Sequence, residues 1–297
     1  MKVLAFDKEW LNELEPLPSG VEVVTEPAPD VEFAMLDAEV ADRLPELFAA
    51  MPTLRVIQSL TAGVDWLVPR APRGVIVCRA AGVHDRPVSE WVVAAILAMQ
   101  RRFPTFVEAQ RTGSWRRDEA TAFPDDDLEG QTVLVLGYGS IGRTLASRLA
   151  PFGVRVIGVG RSARDGAQPT SALPELIPQA DVVVDLLPLT PATERFVDAR
   201  FLGRMKVGGL FVNAGRGKTV DTDALLETLR SGRVRAALDV TDPEPLPEGH
   251  ALWRAPNILI TPHIAGSTQR WLSRSYRFAG EQIRRYAAGQ QLLGVES

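Results

Sequence analysis

Short apolar runs alternate with polar, proline-rich connections along the first hundred residues. The runs are rich in Val, Ile, Leu and Phe and have the length of buried strands. They lie at 2–6, 21–24, 32–36, 55–60 and 75–78. A helical pattern at 39–50 falls between two of them. Strands that alternate with helices in this way predict a parallel α/β sheet.

The same alternation restarts near residue 131. The predicted strands of this second series lie at 132–137, 154–159, 181–187, 209–214, 235–240 and 257–261. The predicted long helices lie at 87–101, 141–152, 222–230 and 268–288. The two series predict an α/β protein of two Rossmann-like parallel-sheet domains, one flavodoxin-like and one dinucleotide-binding, with a cleft between them.

Residues 111–130 interrupt the alternation with a polar stretch of weak periodicity, typical of an arm or a long loop. Trp115 and Phe123 lie in this stretch, and large aromatic side chains are costly to leave in water. We therefore expect the arm to make a protein contact.

Composition narrows the function classes. Apolar residues make up 45% of the 297 residues, enough for a sizeable core. The net charge of −4 is well mixed and gives no reason to expect a nucleic acid or membrane partner. The single cysteine, Cys78, forms no intrachain disulfide, and no Cys/His cluster has metal-site spacing. The longest apolar run, 91–99, is far below the ~20 residues that span a bilayer, and Asp7 interrupts the N-terminal run too early for a signal peptide. We expect a soluble, cytoplasmic protein without a metal.

The segment TVLVLGYGSIGRTLASRLAPFG predicts a phosphate-binding turn between a strand and a helix. Gly137 allows the tight turn, Gly139 allows close approach of a pyrophosphate, and Gly142 allows the helix to pack near the strand. The candidate cofactor residues of this turn are Gly137, Tyr138, Gly139, Ser140, Ile141 and Gly142. Two alternatives are a purely structural turn and a methyltransferase that uses the same fold.

The end of the next strand bears on cofactor choice. NAD-binding folds place an acidic residue there, which binds the ribose hydroxyls and repels the 2′-phosphate of NADP. Here the position holds Gly160, followed by Arg161, Ser162 and Arg164. The arginines and the hydroxyl can bind a phosphate, so the sequence favours NADP(H), with NAD(H) possible. The alternative is a solvated loop with two incidental arginines.

The segment 181–266, with its motifs NAGRG, DVTDPEP and PHIAG, closely resembles the D-isomer-specific 2-hydroxyacid dehydrogenases. So do QSLTAGVDWL at 58–67 and the glycine turn with its helix. The resemblance covers nearly the whole chain and implies NAD(P)H-dependent reduction of a small 2-keto acid, such as glyoxylate or hydroxypyruvate, to the D-2-hydroxy acid. Two alternatives remain: oxidation of a phosphorylated hydroxy acid of the phosphoglycerate type, and a non-catalytic nucleotide-sensing protein of the corepressor type.

The resemblance implies Arg216, Glu244 and His263 as catalytic residues. Reduction of a 2-keto acid requires a hydride at the carbonyl carbon and a proton at its oxygen. His263 can hold that proton near neutral pH, and Glu244 beside it can raise its pKa and orient the ring. Arg216 can bind the substrate carboxylate and polarise the carbonyl, while the nicotinamide supplies the hydride.

The resemblance implies further roles. By this resemblance, Gly63 and Val64 are expected to bind the substrate carboxylate through backbone N–H groups, and Asp239 is expected to contact the nicotinamide carboxamide. The residues expected to line the cofactor pocket are Leu187, Pro188 and Ala214.

The resemblance implies a substrate-binding domain of 1–97 plus 269–297 and an NAD(P)-binding domain of 98–268, joined by hinges for closure. The resemblance also places a two-fold dimer contact at the arm, with Trp115 as an anchor, so we expect a homodimer.

Four other residues are interpreted as structural, and two of them also have a functional alternative. His84 and His250 fall in loop-like segments and are interpreted as solvent-facing or structural, with a substrate-side role as the alternative for His84. Cys78 is predicted to be a small core residue. Trp271 either lines the substrate pocket or packs the last helix.

Overall fold

The computed structural model describes residues 1–117, 127–161, 163 and 166–296. The chain divides into two compact units. The first unit is Met1–His84 with Thr268–Ser297, and the second unit is Asp85–Ser267.

Strands and helices alternate as the sequence predicts. The strands among the described residues are β1 (Lys2–Leu4), β2 (Glu22–Val24), β3 (Val31–Leu36), β4 (Val56–Ser59), β5 (Ile76–Cys78), β6 (Thr132–Leu136), β7 (Arg155–Gly160), β8 (Gln168–Pro169), β9 (Val182–Asp185), β10 (Gly209–Asn213), β11 (Val234–Leu238), β12 (Ile258–Ile260) and β13 (Val295–Glu296). The α-helices among them are α1 (Leu44–Ala50), α2 (Asp85–Gln100), α3 (Phe103–Arg111), α4 (Ser140–Leu149), α5 (Leu173–Leu176), α6 (Ala199–Arg204), α7 (Thr222–Arg230) and α8 (Trp271–Ala287).

Every strand predicted from the sequence overlaps one of these strands. The strands missed are β8 and β13, which are two residues long and too short to show a pattern.

The first unit is built on a six-stranded sheet in the order β13-β5-β4-β3-β1-β2. Its pairs are parallel except for β13, which runs antiparallel to β5. Val56 and Ile57 are neighbours in β4 but belong to opposite core clusters, as the two-residue period of a strand requires. Helix α8 packs Tyr276 and Ile283 into one cluster, and α1 packs Leu44 into the other.

The second unit is built on a seven-stranded parallel sheet in the order β12-β11-β10-β9-β6-β7-β8. The chain runs outward from β6 to β8 and then returns to the other side of β6 with β9. Parallel α/β sheets bind ligands at the carboxyl ends of strands where the order reverses in this way. The two α/β units confirm the predicted fold class.

The division of the chain falls before α2, whereas the predicted domain boundary of 97/98 falls near the end of that helix. The reason is that α2 packs Val88, Val92 and Ile96 into the core of the second unit, together with Val133 of β6. The assignment of substrate and cofactor binding to separate domains stays a prediction.

The predicted arm lies only partly within the described residues. Residues 118–126, with Phe123, fall outside them. Before them, α3 leaves Phe103 and Val107 half-exposed, and Trp115 is 87% exposed. None of the helices among the described residues is long and apolar enough to cross a membrane.

Candidate active site

The glycine turn connects β6 to α4 at the centre of the second sheet. Gly137 has a φ of +76°, and a Cβ there would lie 2.6 Å from the carbonyl oxygen of Leu186, so only glycine fits. A Cβ at Gly139 would meet just one atom within 4 Å, the Gly137 carbonyl oxygen at 3.9 Å. The space beside Gly139 is therefore open at the N-terminus of α4, where the first amides lack intrahelical acceptors. These residues fit the pyrophosphate of a dinucleotide.

Tyr138 packs the turn against the sheet. A Cβ at Gly158 of β7 would collide with the Tyr138 ring, and a Cβ at Gly142 would lie 3.1 Å from it. The Tyr138 N–H donates to the carbonyl oxygen of Val159 at 3.0 Å. The cofactor contact expected for Tyr138 stays a prediction. Its pairing with Gly158 was missed from the sequence, although a glycine within a strand pattern was the available signal.

Polar residues lie within the glycine turn and at the end of the neighbouring strand β7. Ser140 Oγ donates to Asp85 Oδ1 at 2.9 Å, which links the start of α4 to the start of α2. Gly160 ends β7, and Arg161 follows as an exposed residue. Ser162 and Arg164 lie outside the described residues, while Ile141 is partly buried in the core of the second unit.

The segment that follows β9 lies between two glycines. On one side is Gly137. On the other is Gly215, where a Cβ would lie 2.7 Å from the carbonyl oxygen of Leu187. Leu187 and Ala214 are partly buried beside this contact, and Pro188 is exposed. The predicted cofactor-lining residues therefore lie at the carboxyl ends of β9 and β10, next to the glycine turn.

Arg216 and Glu244 stand on two backbone segments that meet at a glycine. A Cβ at Gly217 would overlap the Thr241 carbonyl group, so the Arg216 turn can lie against the Glu244 segment only with glycine there. The Arg216 Nη1 donates to the carbonyl oxygen of Gly215 at 2.9 Å. This close approach brings the two predicted catalytic residues onto one edge of the sheet.

Glu244 and His263 form a pair. Glu244 Oε1 lies 2.5 Å from His263 Nδ1, and the side chains are 40% and 49% exposed. The hydrogen bond to Glu244 raises the pKa of His263 above its usual 6.5, against opposing effects of partial burial and of Arg216. Because Glu244 takes Nδ1, Nε2 is the ring nitrogen left for proton transfer to a substrate.

Asp239 fixes the His263 turn. Its carboxylate accepts hydrogen bonds from Thr261 Oγ1 at 2.6 Å, from the Ile264 N–H at 2.9 Å and from the Ala265 N–H at 2.8 Å. Its carbonyl oxygen accepts from the His263 N–H at 2.7 Å. His263 has a left-handed φ of 54°, which these bonds maintain. The nicotinamide contact expected for Asp239 stays a prediction, and this structural role was missed from the sequence.

The remaining candidates have structural partners. In the first unit, the Gly63 carbonyl accepts from Thr61 Oγ1 at 2.9 Å and from Trp66 Nε1 at 3.1 Å, and Val64 beside it is buried. These contacts hold the loop after β4, and the substrate role of its N–H groups stays a prediction.

The rings of His84 and Trp271 lie 6.1 Å apart within the same unit, and His84 is buried. His250 Nδ1 accepts from the Leu252 N–H at 3.3 Å. Cys78 is fully buried, which confirms it as a core residue, and burial raises the pKa of its thiol to about 11.

The glycine turn follows an interior parallel strand, and the arginine and the carboxylate–histidine pair lie in the segments after other strands of the same sheet. This arrangement is that of a nicotinamide-dependent oxidoreductase. The family model for the NAD-binding domain of the D-isomer specific 2-hydroxyacid dehydrogenases matches residues 93–265. The chain belongs to this family, whose members act on small 2-keto and 2-hydroxy acids.

Three relatives illustrate the match. The human glyoxylate reductase/hydroxypyruvate reductase is 37% identical over 233 residues, 75% of this chain and 71% of the human protein. The D-3-phosphoglycerate dehydrogenase of Mycobacterium bovis is 32% identical over 97% of this chain, which spans 57% of that longer protein. The solved structure of a D-isomer specific 2-hydroxyacid dehydrogenase from Xanthobacter autotrophicus Py2, in complex with NADPH and MES, superimposes with a TM-score of 0.83 at 31% identity and covers 100% of this chain and 97% of that chain.

Proposed function

We propose that the protein reduces a small 2-keto acid of the glyoxylate or hydroxypyruvate kind to the D-2-hydroxy acid, with NADPH as the reductant. The observation that carries the proposal is the Glu244–His263 pair, because it keeps a proton on His263 at a pH where a free imidazole loses it. A proton donor poised near neutral pH is what reduction of a carbonyl group needs.

The roles of the chain's own residues follow from their positions. Arg216 binds the substrate carboxylate with its guanidinium and polarises the keto oxygen. His263 donates its Nε2 proton to that oxygen, while Glu244 holds the ring through Nδ1 and stabilises the imidazolium before the transfer. The nicotinamide, when bound, supplies the hydride.

The proposed preference for NADPH over NADH is supported by the residues at the carboxyl end of β7. Gly160 stands where a carboxylate would repel the 2′-phosphate, and Arg161 beside it is exposed. The Xanthobacter relative was crystallised with NADPH.

A kinetic panel tests the proposal. Glyoxylate, hydroxypyruvate and bulkier keto acids are assayed with NADPH and with NADH, in the wild type and in Arg161→Ala. We expect turnover of the small acids, and a loss of NADPH affinity in the variant of about tenfold with little change for NADH. Arg155→Ala, at the opposite end of β7, is the matched control. Equal effects of Arg161→Ala on the two cofactors refute the cofactor assignment.

Oxidation of a phosphorylated hydroxy acid is the second candidate, because the mycobacterial phosphoglycerate dehydrogenase matches 97% of the chain. Turnover of 3-phosphoglycerate with NAD, and none with keto acids and NADPH, would select it. Tight cofactor binding without turnover of any of these acids would select the nucleotide-sensing alternative.

We also propose a homodimer. Phe103, Val107 and Trp115 expose apolar surface along and after α3, and a second copy is the partner that the family resemblance implies. Sedimentation of the wild type and of Trp115→Ala tests this, and a wild-type monomer at micromolar concentration refutes it. A cytoplasmic location stays a prediction.

A further inference from the structure

Asp185 is a buried carboxyl group that the proposed reaction does not use. It ends β9, and its neighbours in register are Leu136 of β6 and Asn213 of β10. The residue is completely inaccessible to solvent. Burial of a carboxyl group is costly unless its hydrogen bonds and its charge are satisfied. The contacts of Asp185 therefore indicate which protonation state the fold accommodates.

A chain of short contacts leads from Asp185 to the Arg216 turn. Asp185 Oδ1 accepts a hydrogen bond from the Leu187 N–H at 2.8 Å. Asp185 Oδ2 lies 2.6 Å from Thr219 Oγ1, and Thr219 Oγ1 lies 2.6 Å from the carbonyl oxygen of Arg216. The same carbonyl oxygen accepts from Asn213 Nδ2 at 3.0 Å.

The number of hydrogen atoms available to the contacts between Asp185, Thr219 and the Arg216 carbonyl depends on whether the Asp185 carboxyl is protonated. The Thr219 hydroxyl carries one hydrogen and can donate it to only one of its two close oxygens. The Arg216 carbonyl can only accept. If Asp185 is ionised, one of the two 2.6 Å contacts lacks a hydrogen. If Asp185 is neutral, its O–H donates to Thr219 and Thr219 donates to Arg216, so both contacts are hydrogen bonds.

No charged group among the described residues compensates a negative Asp185. Its hydrogen-bond partners Thr219 and Leu187 are uncharged. Helices α6 and α7 present Leu202 and Leu225 to the core on this face of the sheet. The surrounding elements carry charged residues, which are Arg143 and Arg148 on α4, Arg200 and Arg204 on α6, Arg216 and Lys218 in the turn after β10, Asp223, Glu227 and Arg230 on α7, and the ion pair of Arg195 with Asp221.

Burial raises the pKa of Asp185 from 3.8 to about 6, and the hydrogen bonds from Thr219 and from the Leu187 N–H oppose the rise.

We propose that Asp185 is a positioning residue for Arg216 and that its neutral carboxylic acid form is the one that supports the Arg216 turn. Its O–H and the Thr219 hydroxyl form a donor chain that ends on the Arg216 carbonyl oxygen, while its other oxygen holds the Leu187 amide. One carboxyl group thereby fixes both the cofactor-lining segment and the substrate-binding turn. The functional part of this proposal rests on the role given to Arg216 in the proposed function.

Ionisation of Asp185 changes the hydrogen bonds that hold the Arg216 turn. When Asp185 loses its proton, Thr219 turns its hydroxyl hydrogen to the carboxylate. The Arg216 carbonyl oxygen then loses the Thr219 hydroxyl as a donor and keeps Asn213 Nδ2 and the Thr219 backbone N–H. We expect kcat/KM for the keto acid to fall as the pH rises through about 6. Loss of the His263 proton gives a second fall at higher pH, because the pKa of His263 lies above 6.5.

Two variants distinguish the hydrogen-bonding role of Asp185 from its charge. Asp185→Asn keeps a neutral hydrogen-bonding side chain, and Asp185→Leu removes it. Asparagine offers a donor to Thr219 and an acceptor to Leu187, and it does not titrate. We expect Asp185→Asn to keep kcat/KM within about threefold of the wild-type value at low pH and to lose the lower pH step. Asp185→Leu should lower kcat/KM about tenfold or more, chiefly through a higher KM for the keto acid. It removes both the donor that holds the Thr219 hydroxyl and the acceptor of the Leu187 N–H, so neither segment is anchored to β9.

Thr219 provides an independent pair of variants in case Asp185→Leu fails to fold. Thr219→Val removes the hydroxyl at nearly constant shape and should reproduce the rise in KM. Thr219→Ser keeps the hydroxyl and should restore the wild-type value. An Asp185→Asn enzyme as impaired as Asp185→Leu, or a Thr219→Val enzyme with unchanged KM, would overturn the proposal.

A spectroscopic measurement tests the protonation state without turnover. The infrared difference spectrum between the wild type and Asp185→Asn at about pH 5 should show the carbonyl band of one protonated carboxylic acid in the wild type, because partly protonated glutamates contribute equally to both proteins and cancel. If the band is present but no keto acid is turned over, the proposed function fails while the assignment of Asp185 as a neutral acid stands. If the wild type lacks the band, the assignment of Asp185 fails whatever the activity.

Discussion

Asp185→Asn should change the way in which the stability of the protein depends on pH. The pKa of Asp185 rises from 3.8 to about 6 on folding, so between these values the folded state binds a proton that the unfolded state has released. The free energy of unfolding therefore contains a contribution that falls as the pH rises through this window and then stays constant. An asparagine at 185 lacks this contribution.

The magnitude follows from the shift in pKa. A rise of about two units at about 1.36 kcal/mol per unit gives about 3 kcal/mol over the whole window. About 2 kcal/mol of this falls between about pH 4.5 and about pH 8, because the unfolded carboxyl is already partly ionised at the lower limit. The full exclusion of Asp185 from solvent justifies the conversion without a reduction for screening.

Urea unfolding at these two pH values measures the effect. We expect the stability of Asp185→Asn relative to the wild type to improve by about 2 kcal/mol from the lower to the higher pH. Asp223→Asn, which changes an exposed aspartate in the first turn of α7, is the matched control and should show no such change. A stability difference between Asp185→Asn and the wild type that is the same at both pH values would refute the reasoning.

Three further predictions concern the proposed catalytic residues and the glycine that lies between their segments. His263→Gln should lower keto-acid reduction by about 10²-fold or more while NADPH binding, followed by fluorescence titration, is retained; intact reduction would show that His263 is not the proton donor. Glu244→Gln should move the alkaline fall of kcat/KM to lower pH, because the hydrogen bond to Glu244 is the largest cause of the raised His263 pKa, and an unmoved pH profile would contradict this. Gly217→Ala should lower kcat/KM and the unfolding midpoint together, since its Cβ overlaps the Thr241 carbonyl; unchanged values of both would show that the two segments can separate freely.

Local signals predicted much of the fold. The strands from β1 to β7 and β9 to β12 each carry an apolar run, and the two-residue period explains how Val56 and Ile57 reach different clusters. The turn at Gly137 was predictable because its three glycines, strand and helix all lie within one short segment. The catalytic candidates came from family motifs in the sequence, since periodicity carries no information about which polar residues do chemistry.

The contacts that support the site were not predictable in this way, because they join residues far apart in the chain. Thr219 reaches Asp185 from 34 residues away, and Thr261 reaches Asp239 from 22 residues away. Tyr138 depends on a glycine in the next strand. No local pattern specifies which strand ends lie side by side.

The sequence alone therefore determined the described strands other than β8 and β13, the glycine turn, the family and the set of residues able to do the chemistry, because each of these features depends on a short run of residues. Only the tertiary structure decided that α2 belongs to the second unit, that Asp239 fixes the His263 turn, and that the Asp185 carboxyl is sealed from water beside Thr219. The physical reason is that burial, pKa and hydrogen-bond partners depend on the neighbours that folding brings together, and the order of the parallel strands sets those neighbours.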